Sequence, residues 1–166
     1  LHYNLQQFDW LLQTADRYDY VVLAGDLLNV AGYLELEVQI TVISEYLQTL
    51  SQRTKVIACS GNHDGENKTR SGEYTATWMQ GIATDRIFVD WQHVHDDDTA
   101  ISVCPWWDGP ESRQAMAEML AEHSQHPAKK WVWVHHAPPD ACRVSWTGKR
   151  HGGDRFLNQL IELYHP

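Results

Sequence analysis

The sequence predicts a layered α/β domain, one unit over residues 1–166. Three observations point there. Short apolar runs rich in β-branched residues alternate with stretches of helical periodicity. Two of those runs, Tyr20-Val21-Val22-Leu23 and Lys55-Val56-Ile57-Ala58, lead directly into glycine turns. The middle of the chain changes to short strand-like pieces around the acidic turn Asp96-Asp97-Asp98. In such domains the functional groups sit on loops beyond the carboxyl ends of the strands.

Each element follows from a local pattern. Asn4 is placed to cap a helix that carries Leu5, Phe8, Leu11, Leu12 and Ala15 at helical spacing. Residues 20–24 read as a buried strand. Residues 34–52 read as a second helix, with Leu36, Ile40, Ile43, Leu47 and Leu50 on one stripe. Residues 55–59 form the next strand. Residues 65–72 are polar and loop-like, and 73–82 predict a short helix. Arg86–Asp90, Gln92–His95 and Ala100–Cys104 read as strands in antiparallel hairpins. Pro110 opens a helix to Gln125, with Met116, Met119 and Leu120 inward. Trp131–Val134 is again a strand. A long loop follows to Gly153, then a helix from Asp154 to Tyr164.

The formal net charge of −9 argues against a general nucleic-acid or anionic-membrane binder, whose footprint is a basic patch. It leaves room for a phosphorylated substrate, because bound cations invert the local field. Three widely spaced cysteines, Cys59, Cys104 and Cys142, make a poor disulfide framework. A reducing, cytoplasmic compartment is the simpler expectation. No apolar run approaches the roughly 20 residues needed to span a bilayer.

The chemistry concentrates at three strand ends. Gly25-Asp26 ends the first run. A lone Gly-Asp is most often a turn carboxylate, and Asn62-His63-Asp64 alone is an Asx-rich turn. Together they place oxygen and nitrogen donors at the ends of neighbouring strands, where a divalent metal can be held. His63 beside Asp64 reads as an imidazole oriented by a carboxylate. His135-His136 ends a further strand before Ala137-Pro138-Pro139. Because side chains alternate along a strand, one of the two faces the metal.

Gly25-Asp26, Gly61-Asn62-His63-Asp64 and His135-His136-x-Pro-Pro resemble, in order and separation, three central motifs of the calcineurin-like metallophosphoesterases, the purple acid phosphatase superfamily. The resemblance spans nearly the whole chain. It implies the α/β/β/α sandwich of that family and a dinuclear centre of two divalent ions (Mn, Fe, Zn or similar). Such a pair clamps both oxygens of an in-line phosphoryl displacement and generates hydroxide near neutral pH. The implied reaction is hydrolysis of a phosphomonoester or diester.

The family has two further blocks, Asp-x-His on the first strand and Gly-His-x-His after the last helix. His2 resembles the histidine of the first, and Leu163-Tyr164-His165-Pro166 ends where the strand leading to the second would begin. The expectation is a fragment cut inside the active site at both ends, with impaired activity of its own. The resemblance assigns His2 to the first metal and Asp26 to a bridge. Asn62 and one histidine of the pair take the second metal. His63 becomes the general acid, oriented by Asp64. Strand alignment favours His135 as the ligand; the His-x-Pro spacing favours His136. The sequence reading leans to His135.

Asn29 stands where the family often has aspartate. The tryptophan-rich segments Pro105–Pro110 and Trp146–Asp154 match no general family motif, and both buried packing and a substrate pocket stay open for them. Arg143, Lys149, Arg150 and His151 place cationic donors after the histidine pair, where a phosphoester could meet them. The rival function is a non-catalytic, protein-binding scaffold of the same fold. A metallohydrolase acting on amides is a third, disfavoured by the Gly-Asn-His-Asp block.

Overall fold

A computed structural model describes residues 1–166. Its elements run α1 (Leu5–Thr14), β1 (Tyr20–Ala24), α2 (Leu36–Ser51), β2 (Lys55–Cys59), the short pair β3 (Asn67–Lys68) and β4 (Tyr74–Thr75), β5 (Ile87–Val89), β6 (His93–Asp96), β7 (Thr99–Val103), α3 (Pro110–His123), β8 (Lys130–Val134) and α4 (Arg155–Tyr164). Two three-stranded sheets form the centre, ordered β1-β2-β5 and β6-β7-β8. No helix is long and apolar enough to cross a membrane.

The period-2 alternation of the strands builds four layers. On β2, Val56 and Ala58 join the core under α1 and α2 with Phe8, Ile43 and Leu47. Ile57 and Cys59 point the other way, onto Val103 and Val134 of the second sheet. The far face of that sheet lies under α3 and α4, where Trp131 and Trp133 meet Met116, Leu120, Leu157 and Leu160. The order is therefore helices, sheet, sheet, helices, an α/β/β/α sandwich. Both glycine turns fall at the carboxyl ends of the parallel pair β1 and β2, whose register aligns Ala24 with Cys59.

Several expectations need correction. β5 does not join an antiparallel hairpin; it pairs parallel with β2, and only β6 and β7 form the hairpin around the acidic turn. The 73–82 segment is partly the edge strand β4 and then a 3₁₀ turn, Thr77–Ile82. Asn4 contributes its backbone carbonyl to Gln7 and Phe8, and its side chain caps nothing. The true side-chain caps lie elsewhere. Asp154 accepts from the amides of Phe156 and Leu157 at the start of α4. Glu73, from the β3–β4 pair, accepts from Glu111 and Ser112 at the start of α3. A carboxylate at a helix N-terminus satisfies free N–H groups and meets the positive end of the dipole.

One polar cluster is buried between α3 and the second sheet. Ser102 Oγ lies 3.1 Å from His93 Nδ1 and 2.9 Å from His123 Nδ1, and accepts from Trp131 Nε1 at 2.8 Å. The His93 and His123 rings stack 4.3 Å apart, with His95 edge-on to His93. A single hydroxyl donates only one proton, so one imidazole receives it and the other donates. Burial, then the neighbouring His93, His126 and His95, push the His123 imidazolium down to about 4.

A folded-state value below the ordinary 6.5 means that stability is present above that pH. It is lost as pH falls from 6.5 toward 4, at up to about 1.4 kcal/mol per pH unit for one such group. Thermal melts at pH 7 and pH 5 should show a less favourable change in stability on acidification for the natural sequence than for His123→Leu.

Candidate metal centre

The turn after β1 runs through Gly25 at φ 84° and Asp26 at φ 54°. Two left-handed residues in succession reverse the chain sharply and leave the Asp26 carboxylate at the strand end, 6% exposed. Gly25 is needed for a second reason. The imidazole of His136 lies flat against it, and a Cβ there would come within 2.5 Å of Nδ1. Gly61 permits the matching approach from β2, since a Cβ at that position would overlap the Asp26 carboxylate.

Asp64 locks these turns together. Its Oδ1 accepts from the amides of Leu27 (2.8 Å) and Leu28 (2.9 Å), and its Oδ2 from Gly61 (2.7 Å). Burial raises its carboxyl to about 6, against the lowering effect of those amide bonds. Both oxygens are thus engaged with backbone. The expectation that Asp64 orients the His63 imidazole is corrected: it holds the loop, and neighbouring side chains on this turn point in different directions.

Five side chains converge above this frame. Asp26 Oδ1 accepts from the His63 amide at 3.0 Å. Asp26 Oδ2 lies 3.5 Å from His2 Nε2 and 3.3 Å from His136 Nε2. His136 Nε2 is also 3.2 Å from Asn62 Oδ1. The His2 and His63 rings meet edge-on at 4.7 Å, and donor atoms of His2, Asp26 and His63 all lie within 4.8 Å of one another. No strand carries His2. Its amide donates to Asp26 O at 2.7 Å and that of Tyr3 to Leu27 O at 2.9 Å, which seats the residue beside the turn.

The histidine pair resolves against the sequence reading. His136 Nδ1 donates to the Ala24 carbonyl at 2.8 Å, leaving Nε2 toward Asp26 and Asn62. His135 turns the other way. Its ring lies 4.7 Å from that of Trp107, its Nδ1 faces Cys104 O at 3.3 Å, and burial lowers its imidazolium to about 4. His136, not His135, joins the cluster: β8 ends at Val134 as expected, but His136 shares the face of Val134, toward the first sheet, whereas His135 shares the face of Trp131 and Trp133 under α3 and α4.

Arg143, Lys149, Arg150 and His151 are not drawn to it. All four are exposed on the loop after β8, and His151 is engaged with Ser145 Oγ at 2.8 Å. Trp107 is core, donating Nε1–H to the α4 cap Asp154 at 2.9 Å. Trp106 instead stands edge-on to His136, 5.7 Å between centroids. A cleft of about 620 Å³ opens beside His136, walled by Trp133, Pro138, Pro139 and Val144.

The donor chemistry fits divalent cations. A carbonyl only accepts, so His136 donates from Nδ1, and without a hydrogen on Nε2 the ring would present a lone pair there. That lone pair faces a carboxylate oxygen and an amide oxygen. His63 Nδ1 is buried with no hydrogen-bond partner. A cation held among His136 Nε2, Asp26 and Asn62 would satisfy these donors together.

A family model described as calcineurin-like phosphoesterase matches residues 1–163. The chain belongs to the calcineurin-like phosphoesterase family. Phosphoester hydrolysis is the activity that this membership suggests, and divalent metals are the usual cofactors of this family. No curated protein matches the chain. Within this domain, two residues bonded near the site, Ser60 and Asp90, gave no signal of their own in the sequence, and Trp106 was legible only as part of a tryptophan-rich segment. Their contacts join positions 30 to 46 residues apart.

Proposed function

We propose that this domain hydrolyses a phosphoester, mono- or diester, at a dinuclear centre built on His2, Asp26, Asn62, His63 and His136. The observation that carries the reading is the position of Asp26 Oδ2 between the Nε2 atoms of His2 and His136. One carboxylate shared by two cations reduces their repulsion. His2 with Asp26 would hold one ion, and Asp26, Asn62 and His136 the other. Mn, Fe and Zn suit this mixture of imidazole and oxygen donors. Bound there, the ions supply positive charge to the phosphoryl oxygens and lower the pKa of water.

The side chains then divide the work. Asp26, with its charge and its bond to the His63 amide, sets the spacing of the two halves of the site. Asn62 adds a neutral oxygen, limiting the negative charge that would repel a phosphoester. His63 gives its proton to the departing alkoxide. Asp64 keeps the Gly25-Asp26 and Gly61 turns in register. Three unpaired thiols in the fold support a reducing, cytoplasmic setting.

Hydrolysis of an aryl phosphodiester and an aryl phosphomonoester by the full-length protein, followed as Mn²⁺ or Zn²⁺ is titrated in, tests this reading. Activity that rises with metal and disappears with chelator is the expected result. Absent hydrolysis would favour the scaffold alternative, and hydrolysis without metal would contradict the dinuclear centre.

A further inference from the structure

We propose that Trp106, anchored by Ser60 and Asp90, is a positioning residue that holds His136 with its Nε2 turned to Asp26 and Asn62. The inference rests on the reading of His136 as a metal ligand. It begins from the freedom of an imidazole at the end of a strand. Rotation about Cβ–Cγ by half a turn exchanges Nδ1 for a carbon and removes Nε2 from the site. One hydrogen bond to the Ala24 carbonyl opposes that rotation. Gly25 closes one side of the ring. Trp106 meets it from another, at 72° between ring planes.

Trp106 lies on no strand or helix, so something must seat it. Its amide donates to Ser60 Oγ at 2.8 Å. Ser60 directly follows β2, two residues before Asn62, and its own amide donates to Asp90 Oδ1 at 2.8 Å. Asp90 directly follows β5. Both Ser60 and Asp90 are 2% exposed. Buried polar side chains cost free energy unless they are bonded, and an apolar pair could fill this space. Here the bonds join the ends of β2 and β5 to the loop after β7. They therefore connect the sheet that carries Asp26 and Asn62 to the tryptophan that walls His136. A rivet between sheets that served stability alone would not need to end on an aromatic ring against a candidate ligand.

The test compares Mn²⁺ affinity, measured by calorimetric titration of the full-length protein, among the natural sequence, Trp106→Ala, Trp106→Phe and Ser60→Ala. Melting of each metal-free protein is measured alongside. Leu47→Ala, a destabilising change in the core under α2, serves as the control for stability alone. Trp106→Ala should bind about 10–100-fold more weakly, the scale for loss of a group that orients a ligand. Ser60→Ala should weaken in the same direction, and Trp106→Phe should restore most of the affinity. Leu47→Ala should melt lower yet bind as the natural sequence does. Unchanged affinity in Trp106→Ala, or equal weakening in Trp106→Phe or Leu47→Ala, overturns the proposal. Failure of the natural sequence itself to bind Mn²⁺ would instead overturn the reading of the metal centre, and this inference with it.

Discussion

Asp26→Asn should abolish metal-dependent hydrolysis and empty the site, with the fold intact. Asparagine tolerates the left-handed backbone at φ 54° and keeps an oxygen for the His63 amide, so the turn survives. The charge that lies between His2 and His136 is gone. The loss should exceed the roughly 10–100-fold that follows removal of an outer partner of a ligand. Asp26→Ala should lose metal as completely and also melt lower, because alanine pays about 1–2 kcal/mol for the left-handed conformation. Metal content of the purified proteins and their melting curves check both halves. A fully loaded Asp26→Asn protein would remove Asp26 from the bridge.

His63→Ala should separate chemistry from assembly. Turnover should fall about 10²–10⁴-fold, the scale for a general acid, while both metals stay bound. Esters with good leaving groups should suffer less than poor ones, since they need less protonation. The structure makes this a sharp experiment. His63 shares a 4.8 Å neighbourhood with His2 and Asp26, and its Nδ1 is buried without a partner. Such a ring is placed equally well to ligate. Loss of metal in His63→Ala would make it a ligand, and equal damage across leaving groups would end its role as the acid.

Much of this was legible in the sequence, for reasons that differ by element. β1 and β2 are short apolar, β-branched runs and α2 and α3 carry a period-3.6 stripe, so the type of each, and the inward face of the helices, follow from local residues. The four layers were implied by the family resemblance alone; that alternate residues of β2 feed two different cores is visible only in the fold. Pairing is not local, which is why β5 was expected in a hairpin and lies parallel to β2 instead. The same limit explains the histidine pair. Which of two adjacent side chains faces the site depends on which face of the strand packs on the neighbouring sheet, and in Lys130–Val134 both faces carry large apolar residues. Asp64 was misassigned because adjacency in sequence says little about contact across a tight turn. Gln39 shows the point from the other side. It is 1% exposed beside the apolar stripe of α2, bonded to Asn29 and Leu34 at the base of the loop after β1. Its partners are what make a buried amide sensible there, and no periodicity announces them.

The central claim is that cations sit at Asp26 between His2 and His136. Anomalous diffraction from crystals of the full-length protein grown with Mn²⁺ tests it most directly. Two peaks about 3.5–4 Å apart are expected, with Asp26 reaching both and His136, not His135, on one of them. Anomalous density elsewhere in a protein that hydrolyses phosphoesters, or His135 as the ligand, would contradict it.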